Sequence, residues 1–494
     1  MKQSFIQELI LYRYRYPLAY LLCLFLLVAF LGLQIASVPP GLSQQEINSV
    51  TVSTGSRLWP PANVVDLPYH LLQKTSIGLL DLTPLAIKLP SLVLALLSGV
   101  MLAVLLNRWQ KPNVAIITSL LAVSSSLFLI AGRSGTPGIM LIFTISAILL
   151  LATLVVQGVK GEFLWKILFL PAIALALYTP LSLYFLLSAV LASALHPHLR
   201  YNLRRYGAAE AFIGGFFALL IAAPLLFSAW QKPAALIELL GFPTQLPGLS
   251  AYLASLGEIL ARLGGILSPS VGIYIQPAFT FAAAALIVVG IIRCSGDHHA
   301  ARSYLLLLWT AIVLPIMAMR PELLVALFLP AALFMAIGTD VLIREWYALF
   351  PLNPYARITG LLPLMALVGS LLTVNYAVYF NSMTYSPRLG SLYSQDLAVL
   401  RRALASPPLA GQPVTVITGS GQGTFYENLS GRQRPVNVAE TFNKLPIRAP
   451  GAYLVNVAAP LPAGDLAKLG RPTRLYTNQN SDAALRWRLY MASP

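Results

Sequence analysis

Residues 17–46 read PLAYLLCLFLLVAFLGLQIASVPPGLSQQE, an apolar run followed by a more polar segment. The first part, Pro17–Ser37, is an apolar run of about 20 residues, the length that a helix needs to cross the hydrocarbon core of a bilayer. The second part, Pro39–Glu46, is rich in proline and polar residues and ends on a carboxylate. The stretch therefore predicts a membrane span, followed by a loop that holds an acid near the membrane surface.

Similar apolar runs recur along the whole chain. Of its 494 residues, 57% are hydrophobic and 10% are charged, more apolar than a soluble protein of this size needs. Counting runs by length predicts a polytopic α-helical membrane protein with about eleven spans. They lie at Pro17–Ser37, Pro90–Asn107, Val114–Ala131, Pro137–Val156, Phe163–Leu177, Pro180–Leu195, Ala208–Trp230, Pro277–Ile292, Tyr304–Met319, Leu323–Leu342 and Ile358–Tyr379.

The basic residues of the loops predict the orientation of the chain. The net charge is +16, but it does not indicate a nucleic-acid partner, because arginine and lysine in short loops between spans set membrane topology. One side of the predicted bundle collects Arg13, Arg15, Arg108, Lys111, Lys160, Arg200, Arg204, Arg205, Arg293, Arg302, Arg344 and Arg357. We therefore expect a multi-pass protein of the plasma or inner membrane, with a cytoplasmic N-terminus and an extracytoplasmic C-terminus.

The composition divides the chain into two predicted domains. Residues 1–380 form the transmembrane module, in which residues 38–89 make the first outer loop. Within that loop Leu67–Leu80 is amphipathic, which is typical of a helix lying on the membrane surface. Residues 381–494 are predicted to form a small extracytoplasmic α/β domain. Strand-like patterns occur there at Val414–Thr418, Tyr453–Val457 and Leu485–Met491.

Glu46 is the candidate catalytic residue. A sugar or phosphoryl acceptor must lose its hydroxyl proton as it attacks, and a fixed carboxylate at the membrane surface is able to take that proton. The alternative interpretation is that Glu46 is an ordinary solvated loop acid, and position alone does not decide between the two.

The basic residues of the outer face are candidates for holding a lipid phosphate. Arginine binds phosphate in a bidentate way, and Arg133 lies in a short turn between two apolar runs. Lys74 and Lys88 are further candidates among the set Arg57, Lys74, Lys88, Arg133, Lys232, Arg262 and Arg320. The alternative is that these side chains reach for lipid headgroups, which is the commoner use of basic residues near helix ends.

Asp66 and His70 flank the start of the predicted interfacial helix. They either face a common substrate cavity or only begin that helix, where an acid is favourable near the N-terminus. The second interpretation is favoured from sequence. No CxxC or His-x-x-x-His pairing is present that would indicate a structural metal, so no residue is a candidate metal ligand.

Four motifs resemble the GT-C superfamily of membrane glycosyltransferases. The similarity is to the protein mannosyltransferase and aminoarabinose transferase group with its RgtA/B/C/D-like members, and it covers roughly residues 1–230. It rests on the proline-led first loop Pro39–Glu46, on Leu67–Lys74 (LPYHLLQK), on Leu85–Ser91 (LAIKLPS), and on Gly132–Pro137 (GRSGTP).

The resemblance implies a function. The protein would move a sugar from a polyprenyl-phosphate carrier to a lipid, protein or glycan acceptor outside the cytoplasm. The first-loop acid Glu46 would act as the base. Arg133, with Lys74 or Lys88, would hold the carrier phosphate. Asp66 and His70 are candidate substrate-binding residues from their position in the sequence alone.

Two departures from that pattern leave other functions open. The family's first loop usually reads Asp-Glu, whereas this chain has Gln45 and Glu46, and glycine stands at Gly138 where an aspartate is common. Glutamine is not a general base. These missing acids also argue against the divalent metal that some members use. One alternative is a catalytically degenerate scaffold that binds a lipid-linked glycan or an envelope partner, and a second is a lipid or glycan transporter.

Overall fold

The protein was analysed as a computed structural model. The structure describes most of the chain. The described residues are 14–35, 37–204, 206–243, 245–264, 277–297, 300–349, 354–385, 392–409, 413–419, 421–430, 436–440, 451–459, 469–478 and 484–492. Residues 1–13, to which the predicted cytoplasmic N-terminus refers, lie outside this part.

Helices dominate the first 385 residues. They are α1 (Arg15–Gly32), α2 (Gln44–Gly55), α3 (Leu67–Leu80), α4 (Pro84–Trp109), α5 (Pro112–Val123), α6 (Ser126–Arg133), α7 (Gly138–Val156), α8 (Glu162–Ala176), α9 (Ser182–Leu195), α10 (Pro197–Arg204), α11 (Ala208–Gln231), α12 (Ala234–Leu239), α13 (Leu249–Leu263), α14 (Phe281–Gly296), α15 (Ala301–Met317), α16 (Phe328–Leu349) and α17 (Pro354–Tyr385). A 3-10 helix, Pro321–Leu327, precedes α16.

Each predicted apolar run contains one or two of these helices. By length and composition, five helices of the described chain are able to cross a membrane, or up to seven if each bent pair is one span. One of those pairs is α5 with α6, which meet at an angle of 61°. The helical membrane architecture is confirmed, while the count of about eleven spans and the orientation stay predictions.

Contacts between Cα atoms divide the chain into two compact units. The membrane unit comprises residues 1–33, 57–68 and 91–382, and the sheet unit comprises residues 34–56, 69–90 and 383–494. The two parts of the predicted first loop that flank residues 57–68 are therefore grouped with the C-terminal residues. The predicted domain boundary at residue 380 stays a prediction.

Small residues allow close helix packing in the membrane unit. A Cβ atom added to Gly290 of α14 would lie 1.9 Å from the carbonyl oxygen of Phe334 in α16. One added to Gly338 of α16 would lie 2.0 Å from the carbonyl oxygen of Leu286 in α14. The two backbones are thus in direct contact, a packing mode that small residues permit where lipid provides no hydrophobic driving force.

The break between α5 and α6 positions Arg133. The hydroxyl of Ser125 accepts a hydrogen bond from the backbone N–H of Phe128 (3.4 Å) and so caps α6. At the other end of α6, a Cβ atom on Gly132 would lie 2.6 Å from the Cβ atom of Ala95 and 2.9 Å from Cδ2 of Leu31. Arg133 therefore leaves α6 where α1 and α4 pass closely.

The sheet unit contains a mixed five-stranded sheet. Its strands are β3 (Val414–Ile417), β4 (Val436–Ala439), β5 (Gly451–Asn456), β6 (Arg474–Thr477) and β7 (Leu485–Ala492), in the spatial order β4-β3-β5-β7-β6. Strands β4, β3 and β5 are parallel, whereas β7 pairs antiparallel with β5 and β6. Helix α18 (Asp396–Ala405) packs on the sheet through its apolar face. The predicted C-terminal α/β domain is confirmed.

The first loop shares the hydrophobic core of this sheet. Leu42, Ile47 and Ile87 from the loop belong to one buried cluster with Leu400 and Trp487 from the C-terminal part. A short antiparallel pair, β1 (Leu42–Ser43) with β2 (Tyr393–Ser394), adds backbone hydrogen bonds. The first loop is therefore held by burial of apolar side chains in the sheet unit as well as by its own helices.

Candidate functional site

Glu46 begins α2 as part of a capping box. The backbone N–H of Ser43 donates to Oε2 of Glu46 (2.7 Å), and the backbone N–H of Glu46 donates to the hydroxyl of Ser43 (3.2 Å). This reciprocal pair satisfies backbone donors that the first turn of a helix otherwise leaves unpaired. The carboxylate also suits the positive end of the helix dipole. Glu46 therefore has a defined structural role.

Glu46 is not a solvated loop acid, because its side chain is fully buried. The neighbouring Gln45 is exposed. Glu46 thus occupies the buried capping position. The exposed position carries the amide of Gln45, where the resemblance expects an acid. The sequence contained a signal for this arrangement, since a serine followed three residues later by a glutamate is the signature of a capping box.

A closed network of polar side chains connects α2 with α3. The hydroxyls of Ser49 and Ser53 both donate to Oε1 of Gln73, at 2.9 and 2.6 Å. The Nε2 atom of Gln73 donates to the carbonyl oxygen of Ile87 (3.0 Å). All three side chains are buried. Sequence analysis did not identify this network, because serine and glutamine at these spacings carry no recognised pattern.

His70 completes the network. Its Nδ1 atom lies 2.8 Å from the hydroxyl of Ser53. Since that hydroxyl gives its single proton to Gln73, Nδ1 of His70 carries the proton of this hydrogen bond. Burial lowers the pKa of His70 to about 4, so the ring is neutral at neutral pH. His70 is therefore part of a buried hydrogen-bond network between α2 and α3, and its charge does not change near pH 7.

Lys74 and Lys88 also lie in the sheet unit. Lys74 is exposed, and its ammonium donates to the carbonyl oxygen of Ser56 (2.7 Å). Lys88 is fully buried, with its Nζ atom 3.4 Å from the carbonyl oxygen of Gly41. Gly41 has no room for a side chain, because a Cβ atom there would lie 2.3 Å from the carbonyl oxygen of Ser394. Of the two lysines, Lys74 presents its charge at the surface.

Arg133 is fully buried in the membrane unit. Its Nη1 atom donates to the carbonyl oxygens of Phe30 (2.8 Å) and Leu31 (2.9 Å). These belong to the last four residues of α1, whose carbonyls have no partner within the helix. The guanidinium also lies over the rings of Phe380 (4.8 Å) and Tyr379 (5.5 Å). Arg133 thus caps the C-terminus of α1.

Asp66, also in the membrane unit, has a different environment. Its backbone is left-handed (φ 52°), and its N–H donates to the carbonyl oxygen of Tyr178 (2.8 Å). The side chain is buried, and Oδ1 has no hydrogen-bond partner among the described residues. Burial first, and then the charge of Glu238, raise the pKa of Asp66 well above its ordinary value. This carboxyl is therefore a buried polar group with an open oxygen.

The predicted site residues fall into two groups. The sheet unit holds Glu46, His70, Lys74 and Lys88, whereas the membrane unit holds Asp66 and Arg133. The described residues contain no group of three His, Cys, Asp or Glu side chains that is able to hold a metal ion. The described residues therefore do not fit the divalent metal that some members of the resembled family use.

Comparison with known proteins was informative only at the level of structure. No protein-family model and no curated protein sequence matches the chain. ArnT from Cupriavidus metallidurans bound to undecaprenyl phosphate is similar in fold, with 14% identity and a TM-score of 0.56 over 97% of this chain and 98% of that one. Its apo structure gives 15% identity and a TM-score of 0.55 over the same shares.

A second similar structure comes from an archaeon. The Archaeoglobus fulgidus oligosaccharyltransferase tethered to an acceptor peptide is 12% identical, with a TM-score of 0.50 over 98% of this chain and 76% of that one. Both proteins are GT-C superfamily members. The similarity extends over nearly the whole chain, beyond the first 230 residues whose motifs predicted it. The chain therefore shares its overall fold with these two GT-C proteins.

Proposed function

We propose that the protein is an integral-membrane glycosyltransferase that moves a sugar from a polyprenyl-phosphate carrier to an extracytoplasmic acceptor. The observation that carries the proposal is the similarity in fold over 97% of the chain to ArnT, whose structure contains undecaprenyl phosphate. The bound peptide of the archaeal enzyme supports a peptide among the acceptor classes. A fold alone does not determine an activity, so the residues must be tested.

In this proposal Glu46 is the base. The acceptor hydroxyl attacks the anomeric carbon and its proton passes to the Glu46 carboxylate. The bond from that carbon to the carrier phosphate oxygen breaks, and the electron pair leaves with the phosphate. Arg133, Lys74 and Lys88 are the proposed cations for the charge on this leaving group, and Lys74 is the one with an exposed ammonium.

Asp66 and His70 have different parts in the proposal. The open Oδ1 atom of Asp66 is suited to a hydrogen bond with a substrate hydroxyl, because a buried polar oxygen gains most from a new partner. His70 holds α2 and α3 together and so supports the position of Glu46. We therefore propose a substrate contact for Asp66 and a positioning role for His70.

The capping box makes a clean test of Glu46 feasible. Glutamine at this position accepts the same hydrogen bond from Ser43, so Glu46→Gln keeps the cap and removes only the base. We expect wild-type protein to turn over a polyprenyl-phosphate sugar, and Glu46→Gln to co-purify with that lipid unconsumed. Mass spectrometry of bound lipids and transferred sugar measures both. Unchanged turnover by the variant would exclude Glu46 as the base.

One observation favours a second candidate function, a scaffold that binds a lipid-linked glycan without transferring it. Glu46 is engaged in a cap, and the exposed neighbour Gln45 lacks an acid. If this is the function, wild type and Glu46→Gln retain the same lipid and neither consumes it. Gln45→Asp then sharpens the comparison, because turnover that appears only in this variant would identify a degenerate transferase.

A further inference from the structure

A polar cavity lies at one end of the membrane unit, where α4, α14 and α16 end and α15 begins. Its volume is about 310 Å³. Three arginines and three carboxylates line it: Arg293, Arg302, Arg344, Asp297, Asp340 and Glu345. Arg344 and Asp340 form an ion pair with each other (2.6 Å). Within the described chain the other two arginines and two carboxylates form no ion pair, so they present two positive and two negative groups to a ligand.

Two apolar grooves share lining residues with this polar cavity. The larger groove, of about 450 Å³, is walled by side chains such as Ile148, Phe169 and Phe185, and it shares Arg302 with the cavity. The smaller groove, of about 260 Å³, runs along Tyr304, Leu307 and Leu308 of α15 and shares other lining residues with the cavity. One polar cavity is therefore continuous in its lining with two apolar grooves.

Arg302 is fixed at the junction. Its Nη1 atom donates to the carbonyl oxygen of Trp109 at the C-terminal end of α4 (3.3 Å). The predicted phosphate ligand Arg133 follows Gly132, which contacts the same helix at Ala95. Trp109 is 14 residues further along α4, which corresponds to about 21 Å of helical rise. The cavity is therefore distinct from the candidate carrier site around Arg133.

We propose that the cavity and its two grooves bind one phospholipid whose headgroup carries both a phosphate and a primary ammonium group. The head phosphate lies against Arg302 and Arg293, and the ammonium lies against Asp297 and Glu345. The two acyl chains occupy the two apolar grooves. This is a second lipid site, with a ligand class different from the single-chain carrier of the proposed reaction.

The charges of the lining favour this headgroup over others. Guanidinium groups bind phosphate in a bidentate way, and carboxylates accept hydrogen bonds from an ammonium group. A purely anionic head would neutralise one arginine and leave both unpaired carboxylates facing negative charge. A quaternary ammonium head has no N–H to donate. Two separate grooves likewise match two acyl chains better than one isoprenoid chain.

The test measures retained lipid on the full-length protein. Wild-type protein is equilibrated in bilayers of equal parts phosphatidylethanolamine, phosphatidylglycerol and phosphatidylcholine, and is then extracted for native mass spectrometry. We expect one retained phosphatidylethanolamine per chain. Arg302→Gln should lower its retention about tenfold, because hydrogen bonds to charged groups are the strong ones. Lys160→Gln, which removes an exposed charge outside the cavity, is the matched control and should change nothing.

Two further variants separate the parts of the site. Asp297→Asn should abolish the preference for phosphatidylethanolamine over phosphatidylglycerol, and Ala189→Phe should reduce retention by filling the larger groove without changing a charge. Full retention by both Arg302→Gln and Ala189→Phe would overturn the site. Retention of phosphatidylglycerol or of added undecaprenyl phosphate in preference to phosphatidylethanolamine would overturn the proposed headgroup.

Discussion

The first loop of the sheet unit and the turn that holds Asp66 in the membrane unit bury a carboxyl in opposite ways. Glu46 in the loop accepts a hydrogen bond from Ser43 and completes a helix cap. Asp66 in the turn is also buried, yet its Oδ1 atom has no partner among the described residues. The hydrogen-bonded carboxyl of Glu46 stabilises the fold. The unsatisfied oxygen of Asp66 costs free energy in the folded state, and a ligand that donates a hydrogen bond to it would recover that free energy.

The difference extends to the neighbours of each carboxyl. Beside Glu46, the side chains of Ser49, Ser53 and Gln73 satisfy one another and the carbonyl of Ile87. Thr179 follows Tyr178, whose carbonyl oxygen accepts from Asp66, and its buried hydroxyl has no hydrogen-bond partner within the described residues. Such open polar atoms are expected at functional sites, where stability is given up for binding. The comparison therefore predicts that substitutions in the network beside Glu46 reduce stability, and that substitutions at Asp66 reduce function.

The largest expected effect is that of Gln73→Leu. The change removes the acceptor of two buried serine hydroxyls and one donor to the carbonyl oxygen of Ile87, and a buried polar group that loses its partner costs about 1–3 kcal/mol. We expect the Tm in detergent to fall by roughly 10 °C. Thr75→Ala, at an exposed position on the same helix, is the matched control. A Tm like that of the control would show that the network does not hold the loop.

The next effect is a pH dependence that originates at His70. Its pKa is about 4 in the folded protein against 6.5 for the unperturbed group, so the unfolded chain binds the extra proton first as pH falls. The contribution of His70 to the free energy of unfolding is fully present above pH 6.5. It should fall by about 2 kcal/mol at pH 5. Thermal unfolding at pH 7 and pH 5 measures this loss. His70→Gln, which does not titrate, should show a smaller loss.

Much of the architecture was predictable from sequence, because long apolar runs have few alternatives to membrane helices. The strands of the C-terminal domain followed from alternating residues such as those of Leu485–Met491. The position of Glu46 at the start of the first loop was also predictable. The capping box that Glu46 forms with Ser43 could have been predicted from the spacing of these two residues, but the sequence analysis did not predict it.

The environment of the other site residues was not predictable. Arg133 donates to carbonyl groups 102 and 103 residues earlier in the chain, and no local pattern indicates which helix end it meets. The hydrogen bond from Ser49 to Gln73 joins residues 24 positions apart, and no local pattern indicates this pair either. The backbone N–H of Asp66 donates to the carbonyl oxygen of Tyr178, which is likewise distant in sequence. Sequence gives the residue types of a site, whereas tertiary packing decides which of them are satisfied.

A smaller effect separates the cap from the proposed base. Glu46→Ala removes the side chain that accepts from Ser43 and should cost about 1 kcal/mol of stability. Glu46→Gln keeps the acceptor and should cost only a few tenths of a kcal/mol. Unfolding midpoints of both variants measure this difference. Equal losses would mean that the charge of Glu46, and not the hydrogen bond, stabilises the start of α2.

The last effect on stability is expected at Asp66, where its size is similar to that of Glu46→Ala and its sign is opposite. The folded state raises the pKa of this carboxyl, so its contribution to stability is complete below the unfolded pKa and is lost as pH rises through the folded value. Asp66→Asn removes the charge without changing the shape. Asparagine also tolerates the left-handed backbone at this position. The variant should therefore be more stable than wild type at pH 7 and above, by on the order of 1 kcal/mol.

The functional result of Asp66→Asn decides what the open oxygen is for. If Asp66 contacts substrate, the variant gains stability and loses sugar transfer or lipid retention. Asp66→Ala is the control for shape, because it removes both oxygens and should lose function without the full gain in stability. Unchanged function in both variants would mean that the buried carboxyl is only a local defect in packing. The contrast with Glu46 would then describe two structural solutions and would no longer separate structure from function.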